Sequence, residues 1–144
     1  MTANTDSKDK PIARLLIVDD DPDTILALKI GLTDYGFLVD AFTNPKEALQ
    51  KFKSNPKSYS LVISDSGIPA LSGIELAKKV KEANPNMKVL LLTGFGLKAM
   101  ESSKTSDSTS IVDGFVQKPI ATAKLAGKIL SLISETKGGT SSKD

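Results

Sequence analysis

Cysteine and histidine are both absent from the 144 residues of this sequence. A chain without cysteine can form neither a disulfide framework nor a metal site with thiolate ligands. A chain without histidine has no imidazole to serve as a general base or as a zinc ligand. These two absences exclude the common zinc sites and every catalytic site built on a cysteine or histidine side chain of this sequence.

Long apolar runs and a strong net charge are also missing. The apolar run at residues 89–92 is far too short to cross a membrane, and residues 1–10 lack the apolar stretch of a signal peptide. The net charge of +2 is too small to indicate nucleic-acid binding. We therefore expect a cytoplasmic protein with no membrane partner and no direct nucleic-acid partner.

The composition suits a single domain with one core, since 40% of the residues are hydrophobic and 25% are charged. Both ends are rich in small polar residues that cannot bury enough apolar surface to offset the entropy lost on ordering. We predict disordered tails at residues 1–12 and 135–144, with a folded domain at residues 13–134.

Between the tails, short apolar segments alternate with segments of helical spacing, which predicts a parallel sheet with helices on both faces. The predicted strands are Arg14–Val18, 37–42, 60–64, 88–92 and Gly114–Gln117. Residues 94–113 are the exception, because their serines and threonines favour loops over helices. We expect at most a short helix there, near residues 97–101, followed by a loop.

Three helix starts carry capping residues. Asp21 precedes a proline, which is typical of an N-cap followed by the first helical residue. Asn44 with Glu47 and Ser72 with Glu75 have the spacing of capping boxes, in which the cap and the acidic side chain each satisfy a backbone amide of the other.

Polar or reactive residues follow four of the five predicted strands. They are Asp19, Asp20 and Asp21 after the first, Asp65 after the third, Thr93 after the fourth and Lys118 at the end of the fifth. Because ligands of parallel sheets bind at the carboxyl ends of the strands, we expect these side chains to converge. Taken singly, Asp21 is better explained as an N-cap, whereas Asp19 and Asp20 have no obvious capping role and favour a site. The others have ordinary explanations, as a loop residue for Asp65, a turn former for Thr93 and a solvated lysine for Lys118. Their joint placement favours a site.

Converging carboxylates must take up protons or bind a cation, and a site made only of oxygen ligands suits Mg²⁺. Lys118 and Thr93 would contact the oxygens of a phosphoryl group, and Asp65 would act as the carboxylate nucleophile. The sequence alone therefore points to phosphoryl transfer to an aspartate.

Four segments resemble the receiver domain of two-component response regulators, the CheY-like family. They are LLIVDDDPD, LVISDSGIPALSGIEL, VLLLTG and GFVQKPI, and the resemblance covers roughly residues 13–134. It implies a doubly wound, five-stranded parallel sheet in the order 2-1-3-4-5. It also implies a single-domain signalling switch rather than an enzyme. Such a switch would accept a phosphoryl group from a sensor histidine kinase or phosphotransfer protein and signal to a downstream protein that the sequence does not name.

The resemblance also implies roles for individual residues. Asp65 matches the phosphoacceptor, and Mg²⁺ would be held by Asp20 directly, by Asp19 through water, by Asp65 and by the backbone carbonyl of Gly67. Thr93 matches the switch hydroxyl, Lys118 the phosphate-binding lysine, and Phe115 an aromatic residue that moves inward on activation. The Lys118–Pro119 peptide bond matches one that is often cis.

The chain departs from the family pattern in three places. Ile68 stands where methionine is usual, Ser72 stands where aspartate or asparagine is usual, and residues 94–113 lack an alanine-rich fourth helix. The first two changes conserve apolar or capping character. The third puts the family's output surface, but not its phosphorylation chemistry, in doubt.

Other protein classes fit less well. A dehalogenase-type phosphatase needs Thr or Val where Asp23 stands, and an acidic pair after the lysine that this chain lacks. A calcium-binding EF-hand loop needs glycine and glutamate where Thr24 and Ile30 stand. A receiver that binds its partner without phosphorylation stays open as an alternative.

Overall fold

The computed structural model of the protein describes residues 11–67, 72–94 and 111–141, with side chains up to residue 134. The described residues form five strands and four helices that alternate along the chain. The strands are β1 Arg14–Val18, β2 Leu38–Phe42, β3 Leu61–Asp65, β4 Val89–Thr93 and β5 Gly114–Gln117. The helices are α1 Pro22–Asp34, α2 Pro45–Ser54, α3 Gly73–Ala83 and α4 Thr122–Ser141. The short helix expected near residues 97–101 and the loop after it lie outside the described residues.

All five strands are parallel and form one sheet in the order β2-β1-β3-β4-β5. The strand order confirms the doubly wound arrangement expected for this chain. The order reverses between β1 and β3, because the chain first builds outward to β2 and then returns to the other side of β1. The carboxyl ends of β1 and β3 therefore face the crevice where such sheets bind ligands.

The sheet is covered on both faces by apolar helix surfaces. On one face, Leu15, Ile17 and Ile63 pack in a cluster with Leu32 of α1 and Leu125 of α4. On the other face, Leu16 and Val62 of the same strands point the opposite way. They pack in a second cluster with Phe52 of α2 and with Leu76 and Val80 of α3. Strands buried on both faces read as continuous apolar runs, which is why the strand segments were visible in the sequence.

The helix starts follow the predicted capping chemistry, with one difference. Asp21 caps α1, and Ser72 and Glu75 form a complete capping box at α3. At α2, Asn44 Oδ1 accepts hydrogen bonds from the amides of Lys46 and Glu47. The reciprocal bond from the Asn44 amide to the Glu47 side chain, which the sequence predicted, is absent between these two residues. Asn44 thus caps α2 through its own amide oxygen.

Two strands end later than predicted, and the difference bears on the site. Asp65 is the last residue of β3 and Thr93 the last residue of β4, rather than the first residues after them. The reason is that pairing continues one step further, with the Ser66 amide donating to Leu92 O and the Lys118 amide to Thr93 O. Both side chains are consequently held by sheet geometry.

The last helix also runs further than expected. The backbone of α4 continues to Ser141, although the sequence predicts a disordered tail from residue 135. Ile129 and Leu132 anchor the preceding turns of this helix in the core. The domain limits of 13 and 134 stay a prediction. Within the described residues, none of the helices has the combined length and apolarity that crossing a bilayer requires.

Candidate functional site

Three carboxylates meet at the carboxyl edge of the sheet because of strand register. Val18 pairs with Ser64, so the residue after each of them, Asp19 and Asp65, stands at the same level on neighbouring strands. One oxygen from each of Asp19, Asp20 and Asp65 lies within 4.8 Å of the other two. The structure therefore brings together the three carboxylates that the sequence placed after β1 and at β3.

Lys118 bridges two of these carboxylates from the end of β5. Its Nζ lies 3.1 Å from Asp19 Oδ2 and 3.3 Å from Asp65 Oδ1. Burial lowers the pKa of Lys118, but the hydrogen bond and charge of Asp19, together with Asp65, raise it above its usual value. Lys118 is consequently a fixed positive charge at the site.

The two members of the acidic pair differ in environment. The Asp19 side chain is only 1% exposed, whereas Asp20 is exposed. Asp19 Oδ1 accepts a hydrogen bond of 3.0 Å from the backbone amide of Asp21, and its other oxygen contacts Lys118. Asp19 is thus held on both oxygens, while Asp20 faces solvent at the mouth of the site.

Asp21 does more than the sequence suggested. Its side chain caps α1 by accepting from the Asp23 amide and the Thr24 hydroxyl, which confirms the N-cap. These two bonds, the Thr24 bond first, lower the pKa of the Asp21 carboxyl. Its backbone amide, however, orients Asp19. The spacing of an aspartate two residues before an amide is the signal of an Asx turn, from which this contact could have been found.

Thr93 and Phe115 lie on the neighbouring strands β4 and β5. Thr93 ends β4 and is fully buried. Register pairs Leu91 with Phe115 and Thr93 with Gln117, so Phe115 and Thr93 lie on one face of the sheet, two positions apart along the strand direction. Phe115 is partly buried and packs against the core beneath α2 and α3. It does not belong to the carboxylate cluster.

The turn after β3 holds the remaining predicted residue. Gly67 is exposed, and a Cβ built on it meets nothing within 4 Å, so packing does not require a glycine there. The residue before it is tied down, since the Ser66 amide donates to Leu92 O at 2.8 Å. The Lys118–Pro119 peptide bond is cis, as expected.

The donor set fits one magnesium ion. Oxygens bound to a single Mg²⁺ at roughly 2.1 Å lie about 3–4 Å apart. The three carboxylate oxygens here lie within 4.8 Å of one another, so a small adjustment would bring them to that spacing. The ligands are oxygen only, and the exposed Asp20 leaves one side open for water or a ligand. The acidic cluster thus has the chemistry and spacing of a magnesium site.

Comparison with known proteins agrees with this geometry. Residues 15–130 match the family model of the response regulator receiver domain. The chain belongs to this family. As a receiver domain, it is 31% identical over 125 residues to the transcriptional regulatory protein QseB of Haemophilus influenzae, covering 87% of this chain and 54% of that protein. It is 28% identical to the response regulator receiver protein CpdR of Brucella abortus, covering 83% of this chain and 96% of CpdR.

A solved receiver structure has the same fold. The crystal structure of a response regulator receiver domain protein from Clostridium thermocellum superposes with a TM-score of 0.78 at 27% identity, covering 88% of this chain and 98% of that chain. The receiver chain spans about half the length of several relatives, QseB among them. Membership in this family replaces the dehalogenase-type and EF-hand interpretations.

Proposed function

We propose that this receiver domain is a phosphorylation switch in which Asp65 accepts a phosphoryl group from a sensor histidine kinase or phosphotransfer protein. One observation carries the proposal: the Asp65 carboxylate lies within 4.8 Å of two further carboxylates and 3.3 Å from a lysine. Carboxylates gathered around a cation suit metal-assisted phosphoryl transfer. Signalling proteins of this family act as switches, so the phosphorylated state is the output rather than a released product.

The residues of this chain divide the chemistry among them. An Asp65 oxygen attacks phosphorus, the P–N bond to the donor imidazole breaks, and the imidazole nitrogen keeps the electron pair and takes up a proton. Lys118 turns from the Asp65 carboxylate to an oxygen of the transferred group and offsets its charge. Thr93 supplies a hydroxyl donor at the end of β4. The sequence has no histidine, so the donor imidazole belongs to a residue outside it.

Magnesium would be held by the carboxylates of Asp19, Asp20 and Asp65 and the backbone carbonyl of Gly67. When bound, it supplies charge neutralisation for the phosphoryl oxygens. Asp19 holds its place through Lys118 and the Asp21 amide, which keeps one carboxylate in position before any ligand arrives. Asp20 is the exposed ligand and is free to adjust to the ion.

A cavity of about 530 Å³ beside Lys118 supports docking of a phosphodonor protein. It lies between the first half of α1 and the segment that joins β5 to α4. Apart from Lys118 its lining is mainly apolar or small, with Thr24, Ala27, Leu28, Leu92, Gly94, Pro119, Ile120 and Thr122. Apolar side chains of the donor would fill this cavity while its phosphohistidine reaches Asp65.

We propose that the phosphorylated receiver signals to a downstream protein. Its match to CpdR covers 96% of that receiver protein, whereas its match to QseB covers 54% of that regulator. The cytoplasmic location stays a prediction.

The test is phosphorylation by a small-molecule phosphodonor, read by intact mass. The wild-type chain with Mg²⁺ should gain one phosphoryl group, and Asp65→Asn should gain none because an amide is a poor nucleophile. Asp34→Asn is the matched control, since it removes an exposed carboxylate at the far end of α1. A chelator should abolish labelling of the wild type.

Two results would contradict the proposal. Labelling of Asp65→Asn at the wild-type rate would place the acceptor elsewhere, and labelling that survives the chelator would remove the metal from the reaction. If the wild type takes up no phosphoryl group, the alternative of a receiver that binds its partner without phosphorylation is the better description.

A further inference from the structure

The first residue of α3 approaches the end of β3 more closely than any side chain would allow. A Cβ built on Gly73 lies 2.9 Å from the backbone oxygen of Asp65 and 3.0 Å from Ser66 Cα. It also lies 2.8 Å from Leu91 Cδ2. Real Cβ atoms essentially never come closer than 3.0 Å to such neighbours, so an added methyl group must move at least one of them.

Space, and not backbone conformation, explains this glycine. Among the described residues only Gly36 has a positive φ, so an alanine could adopt the backbone angles of Gly73. Alanine is also the better helix former. Glycine at the start of α3 therefore has a lower helix propensity than alanine, but it allows α3 to contact the strand that carries Asp65.

Contact with Gly73 also completes the restraint on the turn after Asp65. The Ser66 amide donates to Leu92 O at 2.8 Å, and the Ser66 carbonyl accepts from the Gly73 amide at 3.3 Å. Ser66 is thus held from both sides, by β4 and by α3. It connects Asp65 to Gly67, so its position determines where the carboxylate and the Gly67 carbonyl stand relative to Asp19 and Asp20.

We propose that Gly73 is a positioning residue for phosphorylation: its missing side chain lets α3 press against Asp65 and Ser66 and so sets the spacing of the magnesium ligands. The inference rests on the proposed function, in which Asp65 and Gly67 hold Mg²⁺. It predicts that a methyl group at position 73 damages the metal site through the backbone, independently of any effect on core packing.

The contact with Leu91 allows the two effects to be separated. Leu91 Cδ2 is the end of a side chain in the core beneath α2 and α3, whereas the Asp65 oxygen and Ser66 Cα are backbone atoms. Leu91→Val removes the δ-methyl groups. It therefore relieves the contact with Leu91 but not the contacts with the backbone of Asp65 and Ser66. A Gly73→Ala/Leu91→Val double variant should therefore recover packing but retain the pressure on Asp65 and Ser66.

The experiment compares Gly73→Ala, Leu91→Val, the double variant and Gly127→Ala with the wild type. Gly127→Ala is the matched control, because it adds the same methyl group to α4 where nothing lies within 4 Å. The measurements are the urea midpoint, the amide chemical shifts of Ser66 and Gly67 without metal, the Mg²⁺ dissociation constant from NMR titration, and the phosphorylation rate.

We expect Gly73→Ala to shift the Ser66 and Gly67 resonances and to weaken Mg²⁺ binding by about tenfold or more, as loss of support around metal ligands commonly does. The double variant should recover the urea midpoint towards that of Leu91→Val while Mg²⁺ binding stays weak. Gly127→Ala should match the wild type in metal binding.

Wild-type Mg²⁺ affinity in Gly73→Ala would overturn the inference, as would recovery of metal affinity together with stability in the double variant. The second result would mean that Gly73 acts through packing alone. Failure of the proposed function is a different result, because then the wild type itself would take up no phosphoryl group. The metal-free shifts of Ser66 and Gly67 would still decide whether Gly73 holds this turn.

Discussion

At the scale of single residues, Lys118 has two roles with opposite consequences. It neutralises part of the charge of Asp19 and Asp65 before phosphorylation, and it would contact the phosphoryl group afterwards. Replacement of Lys118 by methionine keeps much of the side-chain volume and removes both charge interactions. The first loss makes the carboxylate cluster more negative, and the second removes a cation from the transferring group.

We therefore predict that Lys118→Met binds Mg²⁺ more tightly than the wild type but is phosphorylated more slowly, by about tenfold or more. NMR titration measures the first quantity and intact mass over time measures the second. Lys124→Met is the control, because Lys124 is an exposed lysine on the first turn of α4. A parallel fall in both quantities would mean that Lys118 mainly maintains the fold of the site.

At the scale of secondary-structure elements, an ionic network joins three of them at the end of the sheet opposite the site. Arg14 of β1 donates to Asp40 of β2 at 2.8 Å, and the hydroxyl of Tyr59, just before β3, donates to the same Asp40 oxygen at 2.5 Å. The Arg14 guanidinium lies 5.0 Å from the centre of the Tyr59 ring, and Phe52 of α2 stacks on that ring. The network therefore ties β1 and β2 to α2 through Tyr59, which precedes β3.

Tyr59→Phe keeps the ring and removes the hydroxyl, so it tests the hydrogen bond without a cavity. We predict a loss of about 1.5–3 kcal/mol in the free energy of unfolding at neutral pH, the usual range for a hydrogen bond to a charged group. Urea titration measures it. Tyr35→Phe is the control, since Tyr35 is an exposed tyrosine at the end of α1.

The same variant makes a prediction about pH. Burial first, and the hydrogen bond to the Asp40 carboxylate second, raise the pKa of Tyr59 above its usual value. Above about pH 10 the unfolded chain releases the tyrosine proton while the folded chain keeps it, so stability falls as pH rises. Tyr59→Phe has no hydroxyl to titrate, so its stability does not fall in this way. The difference in the free energy of unfolding between the variant and the wild type should therefore shrink between about pH 10 and pH 12. A deficit that does not change with pH would contradict this account.

At the scale of the whole molecule, the geometry offers a path from the site to the edge of the sheet. Under the proposed function, a phosphoryl group with roughly −1.5 to −2 charge would replace the single negative charge of the Asp65 carboxylate, and its oxygens would draw the Thr93 hydroxyl towards them. Thr93 and Phe115 share one face of the sheet, so space released near Thr93 is within reach of Phe115. The phosphoryl group can shift the population only if it binds one arrangement better than the other.

We predict that Thr93→Ala still accepts a phosphoryl group but couples it poorly to Phe115. In the wild type, the aromatic resonances of Phe115 should change on phosphorylation, and in Thr93→Ala that change should be smaller. NMR of the protein with selectively labelled phenylalanine measures this change. The buried Phe52 of α2 serves as the internal reference. An unchanged Phe115 signal in the phosphorylated wild type would argue against this path.

Most of the architecture follows from local patterns in the sequence. Residues 15–18 and 89–92 are recognisable as strands buried on both faces because nearly every side chain is apolar. Asp21 and Ser72 mark helix starts because their side chains satisfy amides a few residues away. Asp19, Asp20, Asp65 and Lys118 were identifiable as a group because each ends or follows a strand, and parallel topology turns that position into proximity.

Two features depend on tertiary packing. The extension of β3 to Asp65 and of β4 to Thr93 rests on hydrogen bonds between strands far apart in sequence, such as Ser66 to Leu92. In the sequence, Gly73 is recognisable only as the residue after the Ser72 cap. The requirement for glycine comes from the short distances to Asp65 and Leu91.

The sequence by itself thus determined the strands, the helix starts and the set of acidic and basic residues, because these depend on periodicity and on neighbours within a few positions. Tertiary structure alone decided which atoms meet: Lys118 between Asp19 and Asp65, and the closeness of α3 to β3 at Gly73. The physical reason is that register and packing are set by the whole sheet with its helices in place. A contact between residues 19 and 118 has no local signature in the chain.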